Sequence, residues 1–343
     1  MKKSLFCMIS AFALSMNPAN SAHGVIPDED GFSGFVTLGL SGIDLKSNTV
    51  AGDSTETFSK KRISSLTASP KSESKGAGYI TGELKYTWAD NKTQVFLGNR
   101  LEDWIRYDFT SELGIRHQYR ALGEFSASLL FSAFPTRVWQ DPYQLNSNRR
   151  DTDRKSTGAS FGWNNIMGSD AQITLSARKI EIDKEHSGEH GQNSNLSPEK
   201  RYLLSRKGDS KAIEFLYHYQ LNDSQTLIPS LKATHYDLDG KAMASDEYLL
   251  QLSHLWGVER WRTVSNLVVG RNKHDKANPI EDFKGKTQKD DIYGASFTLF
   301  YSEPFGWKNW NAMGSVAVMK SSSNIDFYEA DISALSLGML YRF

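Results

Sequence analysis

The sequence ends in SALSLGMLYRF, residues 333–343. Leu335, Leu337, Met339, Tyr341 and Phe343 share one parity. Ser336, Gly338 and Arg342 share the other, with Leu340 as the exception. A period of two describes a strand with one apolar face and one small or polar face. The alternation runs to the last residue, where a soluble domain usually finishes in a polar tail. What the apolar face meets decides the fold.

The same pattern recurs upstream. GFVTLGLSGI sets Val36, Leu38 and Leu40 against Thr37, Gly39 and Ser41. YITGELKYTW sets Ile80, Leu84, Tyr86 and Trp88 against Thr81, Glu83, Lys85 and Thr87. DFTSELGIR sets Phe109, Leu113 and Ile115 against Asp108, Glu112 and Arg116. QITLSAR sets Ile173, Leu175 and Ala177 against Gln172, Thr174, Ser176 and Arg178. AIEFLYHYQ sets Ile213, Phe215, Tyr217 and Tyr219 against Glu214, His218 and Gln220. Similar segments start at Tyr248, Tyr293 and Ser315. Residues 93–101 and 261–271 are strand-like without a settled parity, and Pro229 weakens 226–236. The spacing gives about 14 strands, within about 12–16.

The connections alternate in length. Short turns fall at 89–92, 120–123, 165–170, 222–225, 257–260 and 303–309. Between them lie long charged stretches at 47–75, 141–154, 184–209 and 272–290, and shorter ones at 102–106, 237–244 and 321–331. Outer-membrane barrels combine short periplasmic turns with longer outer loops, and an even strand number puts both termini on the turn side. Aromatic residues gather at the segment ends. Trp88, Trp163, Tyr219, Trp256, Trp261, Tyr301 and Trp307 lie beside the short turns. Trp104, Tyr107, Trp139, Tyr143 and Tyr236 lie toward the other end. Two such bands match the girdles at the two membrane–water boundaries.

The N-terminus has a basic start (Lys2, Lys3), an apolar stretch from Leu5 to Met16 and small residues at Ala19, Ser21 and Ala22. It reads as a signal peptide, residues 1–22, cleaved to leave one domain at 23–343. The single cysteine, Cys7, falls within it, so no disulfide framework follows. Lys+Arg and Asp+Glu balance at 40 each, which gives no basic field for nucleic acid. No later apolar run is long enough for a spanning helix. The expected fold is therefore all-β: a transmembrane antiparallel up-and-down barrel, with lipid against the apolar face. A soluble sandwich would not require the short/long rhythm or the aromatic bands.

A last strand ending in Tyr341 and Phe343 resembles the recognition signal of outer-membrane barrels, which implies the barrel-assembly machinery as a partner. GFSG at 31–34, followed by LGL, is similar to an uncharacterised family of porin-like outer-membrane proteins of marine gammaproteobacteria. A barrel of this size also resembles the monomeric porins.

If the apolar parity meets lipid, Glu83, Lys85, Asp108, Glu112, Arg116, Arg178, Glu214 and His218 face the lumen. Charge on the lipid side would cost about 2–4 kcal/mol for Arg or Lys at midplane. A wall of both signs, with Ser, Thr, Gly and Gln, suits water and hydrophilic solutes. The expected function is passive diffusion of ions and small hydrophilic solutes, without cofactor or metal. The expected partners are outer-membrane lipid and lipopolysaccharide, and the favoured state is a monomer. The competing readings are an outer-membrane enzyme and a non-conducting receptor barrel. For an enzyme the best group is His235, Asp237 and Asp239 in HYDLDG, whose plainer reading is a turn. His186 and Ser187 sit in a long loop unsuited to a fixed dyad. The charged stretch 146–156 is expected to be a solvated outer loop rather than a constriction.

Overall fold

The computed structural model describes residues 26–343, apart from 55, 56, 58, 104–107 and 191–194. The signal peptide, Trp104 and Tyr107 lie outside these residues, as does the side chain of Asp108. Among the described residues, fourteen antiparallel staves close on themselves. They are β1 (Gly31–Lys46), β2 (Ser72–Trp88), β3 (Thr93–Asp103), β4 (Asp108–Tyr119), β5 (Gly123–Phe131, resumed at Thr136–Trp139), β6 (Asp151–Asn164) and β7 (Ala171–Ile182). The ring continues with β8 (Gly208–Tyr217 and Tyr219–Asn222), β9 (Gln225–Leu238), β10 (Ser245–Val258), β11 (Trp261–Ala277), β12 (Thr287–Ser302), β13 (Trp310–Ser323) and β14 (Ala330–Arg342).

Closure joins the two ends of the chain. β1 pairs with β14 from Phe35↔Arg342 to Lys46↔Asp331. Phe343 adds two more bonds, its carbonyl accepting from Gly34 N at 2.9 Å and its N–H donating to Gly34 O at 3.2 Å. A ring without edges is what backbone polar groups need in hydrocarbon. The register also sets the faces. Leu38, Leu40, Leu335 and Leu337 point outward and stay exposed, Leu40 at 73%. Covering one such side chain with lipid is worth about 1.5–3 kcal/mol.

Leu340 breaks the alternation because it faces inward. There it joins Phe35, Ile228, Leu255, Val264, Phe300 and Met313 in a buried cluster at the turn end of the lumen. Tyr79 of β2 also points inward. Its ring lies over Gly39 and Gly338, where a Cβ would come within 2.4 and 2.6 Å of it. These two glycines form the seat for the ring.

Two features differ from the sequence reading. Stretch 272–290 is mostly strand, because β11 runs 17 residues and β12 begins at Thr287. About 9–11 residues suffice to cross the membrane. The surplus projects outward, where both faces are polar and alternation carries no signal. Pro229 lies inside β9, not at a strand end, and its effect falls on the neighbour. Without an N–H it cannot donate to the ladder, and β8 is interrupted opposite it, between Tyr217 and Tyr219.

Candidate functional site

The inward parity makes the lumen wall. Glu83 and Lys85 share that face and pair at 2.9 Å. Arg116 donates through Nε to Gln94 Oε1 at 2.9 Å and approaches Glu124 at 3.7 Å. Glu112 accepts from Ser128 Oγ at 2.6 Å, and Glu214 accepts from Ser230 Oγ at 3.2 Å. Arg178 is buried and donates to Ser156 Oγ at 3.3 Å and Thr110 Oγ1 at 2.7 Å. His218 sits at the break in β8, its N–H donating to Asp170 O at 3.0 Å. These charges line the β2–β8 side. At mid-height the β9–β14 side is mostly hydroxyl and amide instead, with Ser230, Ser253, Asn266, Ser296, Thr298 and Ser336, while Lys232 of β9 stands opposite Glu214.

The β3–β4 hairpin leaves the wall. β2 and β3 pair only from Trp88↔Thr93 to Glu83↔Gly98. Beyond Gly98, β3 pairs with β4 alone. Thr110 and Ser111 are both buried although they have opposite parity. Phe109 packs against an inward-facing cluster of Ile43, Leu45, Val50, Ala317, Ile332 and Ala334 from the wall and the first outer loop. From Phe109 to Ser111 the β4 arm of the hairpin therefore lies on the lumen side, and Arg178 reaches it from β7.

The outer mouth is covered. Leu66, Tyr143, Leu204, Ala242, Met243, Ile280, Phe283, Ile325 and Phe327 come from the loops after β1, β5, β7, β9, β11 and β13 and form one buried core. At its centre the Tyr143 and Tyr328 hydroxyls meet at 2.6 Å, and Asn278 Nδ2 donates to Tyr328 at 2.6 Å. Burial raises the Tyr143 hydroxyl to about 12, against the opposing pull of Tyr328. Gly240 lets the β9–β10 loop touch the β7–β8 loop, since a Cβ there would stand 2.4 Å from Ser205 N.

Buried charges tie this cap together. Arg149 donates to the carbonyls of Asn48 (2.8 Å), Pro142 (3.1 Å) and Lys60 (2.5 Å), and its guanidinium lies 4.4 Å from the Trp139 ring centroid. Burial lowers its pKa to about 9, so it is charged at neutral pH. Arg206 bonds Glu185 at 2.9 Å and the Trp139 carbonyl at 2.7 Å. Burial pushes the Glu185 carboxyl up, but Arg206 and the Ser187 hydroxyl outweigh it and hold the group below the usual range.

The cap corrects two expectations, the outer aromatic girdle and the solvated loop. Trp139 and Tyr143 are fully buried in it, and Tyr236 faces inward, so none belongs to an outer girdle. Their indole and phenol rings are spent on tertiary packing rather than on lipid. Stretch 146–156 is not a solvated loop. Arg149 is buried, Asn146 N bonds Ile63 O at 2.8 Å, and β6 begins at Asp151. The signal missed was the lone apolar residue inside a polar loop, such as Ile280 and Phe283 in NPIEDFKG. At the turn end, Trp88, Tyr219, Trp261 and Trp307 are exposed, while Trp163, Trp256 and Tyr301 are partly so.

The enzymatic candidates do not converge. His235 pairs with Asp246 at 2.7 Å on the outer surface, and Asp237 pairs with Lys241. His186 pairs with Glu189 at 2.8 Å, whereas Ser187 donates to Glu185 at 2.6 Å. Among the described residues no group of three His, Cys, Asp or Glu is placed to hold a metal.

The family model described as "Protein of unknown function (DUF2860)" matches residues 31–342, and the chain belongs to that family. No curated protein matches the sequence. Similar solved structures include a "CymD monoaromatic hydrocarbon channel", at 9% identity and TM-score 0.43, covering 98% of this chain and 93% of that one. An outer-membrane OmpT of Vibrio cholerae is 8% identical with TM-score 0.42, covering 93% and 100%. An anion-selective porin from Comamonas acidovorans is 8% identical with TM-score 0.38, covering 92% and 100%.

Proposed function

We propose that this family member is an outer-membrane channel for passive diffusion of ions and small hydrophilic solutes. The observation that carries the reading is the polar part of the inward face, with charged groups on β2–β8 and, between the two inward apolar clusters, hydroxyl and amide groups on β9–β14. A barrel of about 14 strands lies between those filled by side chains and those with open channels, so its polar wall can hold water where the lumen is not packed. The inward hairpin narrows the path, and the cap sets how often its outer end is open. Residues 1–22 serve as the export signal, Tyr341 and Phe343 as the assembly signal, and lipopolysaccharide surrounds the outer rim.

Planar-bilayer recording of the refolded barrel in a salt gradient tests this. Discrete open steps with a defined reversal potential support a channel. A folded barrel without conductance favours the second reading, a receptor barrel, which the closed cap supports.

A further inference from the structure

Among the described residues the β2–β3 ladder of the wall stops short, at the height of the apolar band. On β1 the outward apolar positions run from Phe32 to Leu40, followed by Gly42, Asp44 and Lys46. β1 and β2 pair throughout, with Val36 opposite Gly82 and Leu38 opposite Ile80. Gly82 and Ile80 thus lie inside the apolar band. Yet the β2–β3 ladder ends one step below, at Glu83↔Gly98. Gly82 and Asn99 would form the next pair and do not. Asn99 Nδ2 instead bonds Ser111 Oγ at 3.0 Å within the departing hairpin.

The interruption is framed. Below it, Leu84↔Leu97 and Leu97↔Leu113 hold the wall closed. On one side β2 stays fixed to β1, and on the other β5 stays fixed to β6. Above it, Val50 pairs with Val138 and Gly52 with Arg137, so the loop after β1 bridges to the upper part of β5. The hairpin's own apolar residue, Phe109, has exchanged lipid for the inner cluster of Ile43, Leu45 and Ile332. A frayed edge would have neither a bridge above nor an internal seat for the displaced strand.

We propose that the gap between β2 and β3 is a lateral portal joining the lumen to the outer leaflet. It rests on the channel reading and adds a substrate class, neutral apolar or aromatic small molecules. The chemistry follows from the exit. A solute leaving sideways passes Ile80, Leu97 and Leu113 into hydrocarbon. An ion would lose its hydration there at a prohibitive cost, whereas an apolar solute gains. The cap covers the outer end of the axial route, and the portal lies below it.

The test uses the chain with Cys7→Ser and the pair Ile80→Cys and Asn99→Cys. Across a formed ladder these diagonal positions would stand about 7–8 Å apart. Spin labels in the refolded barrel should report a clearly longer separation, and a narrow distribution at the ladder spacing would overturn the portal. In cells, the apolar fluorophore N-phenyl-1-naphthylamine should enter several-fold faster when the barrel is present. Cross-linking the two cysteines should abolish the gain while leaving the bilayer ion conductance in place. Equal dye entry with and without the barrel would overturn the proposal. Absent conductance with the long label distance would instead count against the hydrophilic channel alone.

Discussion

Tyr143 and Tyr328, 185 residues apart, meet hydroxyl to hydroxyl at 2.6 Å in the middle of the cap. Each closes a different loop, and Asn278 from a third completes the network. Tyr328→Phe removes the hydroxyl that both partners use. Leaving buried polar groups unmatched costs about 1–3 kcal/mol. The variant should keep its barrel, show more frequent or longer open steps, and be cut faster by protease in the β7–β8 loop. Unchanged gating and cleavage would mean that the cap does not depend on this contact.

The cap should also loosen in acid. Glu185 has a folded-state pKa below its ordinary value, held there by Arg206 and Ser187 against burial. A depressed carboxylate contributes stability above its unfolded pKa and loses it as pH falls through the folded one. Cap opening should therefore begin below the usual glutamate range, not near neutrality. Glu185→Gln should mimic the acid state at pH 7, since breaking a buried pair costs about 3–5 kcal/mol. Proteolysis of the β7–β8 loop against pH, in both proteins, checks the sign.

These groups explain what the sequence disclosed and what it hid. Alternation exposed the staves because each outward residue answers to lipid alone. Leu335 and Leu337 needed no knowledge of their neighbours. Leu340 and Tyr79 needed it, since one joins a cluster drawn from six other staves and the other lies over two glycines distant in sequence. The cap was hidden for the same reason. Tyr143, Phe283 and Phe327 are single apolar residues in polar loops, and only the closed barrel brings them together. The departure of β3 was invisible too, because residues 93–101 read as a strand without a settled parity, and nothing in that stretch marks Gly98 as the last residue paired with β2.

Tyr79 seats against Gly39, where an added Cβ would lie 2.4 Å from both the Leu337 carbonyl and the ring. Gly39→Ala should lower the temperature at which the barrel loses its compact, detergent-resistant form. Overpacking of this kind costs about 1–3 kcal/mol. A heat-modifiability gel against temperature gives the result, and an unshifted midpoint would show that Tyr79 can turn aside freely.

Phe343 separates stability from delivery. Deleting it removes two backbone bonds to Gly34, worth about 0.5–1.5 kcal/mol each. Refolding into detergent should suffer only slightly. Assembly in cells should fall much further if the terminal residue is read by the assembly machinery. Equal, small losses in both settings would reduce Phe343 to a closing residue.

Arg178 is the charge best placed to govern permeation, since it touches the inward hairpin through Thr110 at 2.7 Å. Arg178→Glu changes the local charge by two units and should move the reversal potential toward cation selectivity. It also breaks the bond to Thr110, so a shift could reflect a displaced hairpin. Arg178→Gln separates the two causes, because its amide can still donate to Thr110 without a charge. If charge governs, Gln should give a selectivity between wild type and Glu at nearly unchanged conductance. If position governs, Gln should behave like wild type while Glu alters conductance as well. A reversal potential unchanged in both variants would remove Arg178 from the ion path.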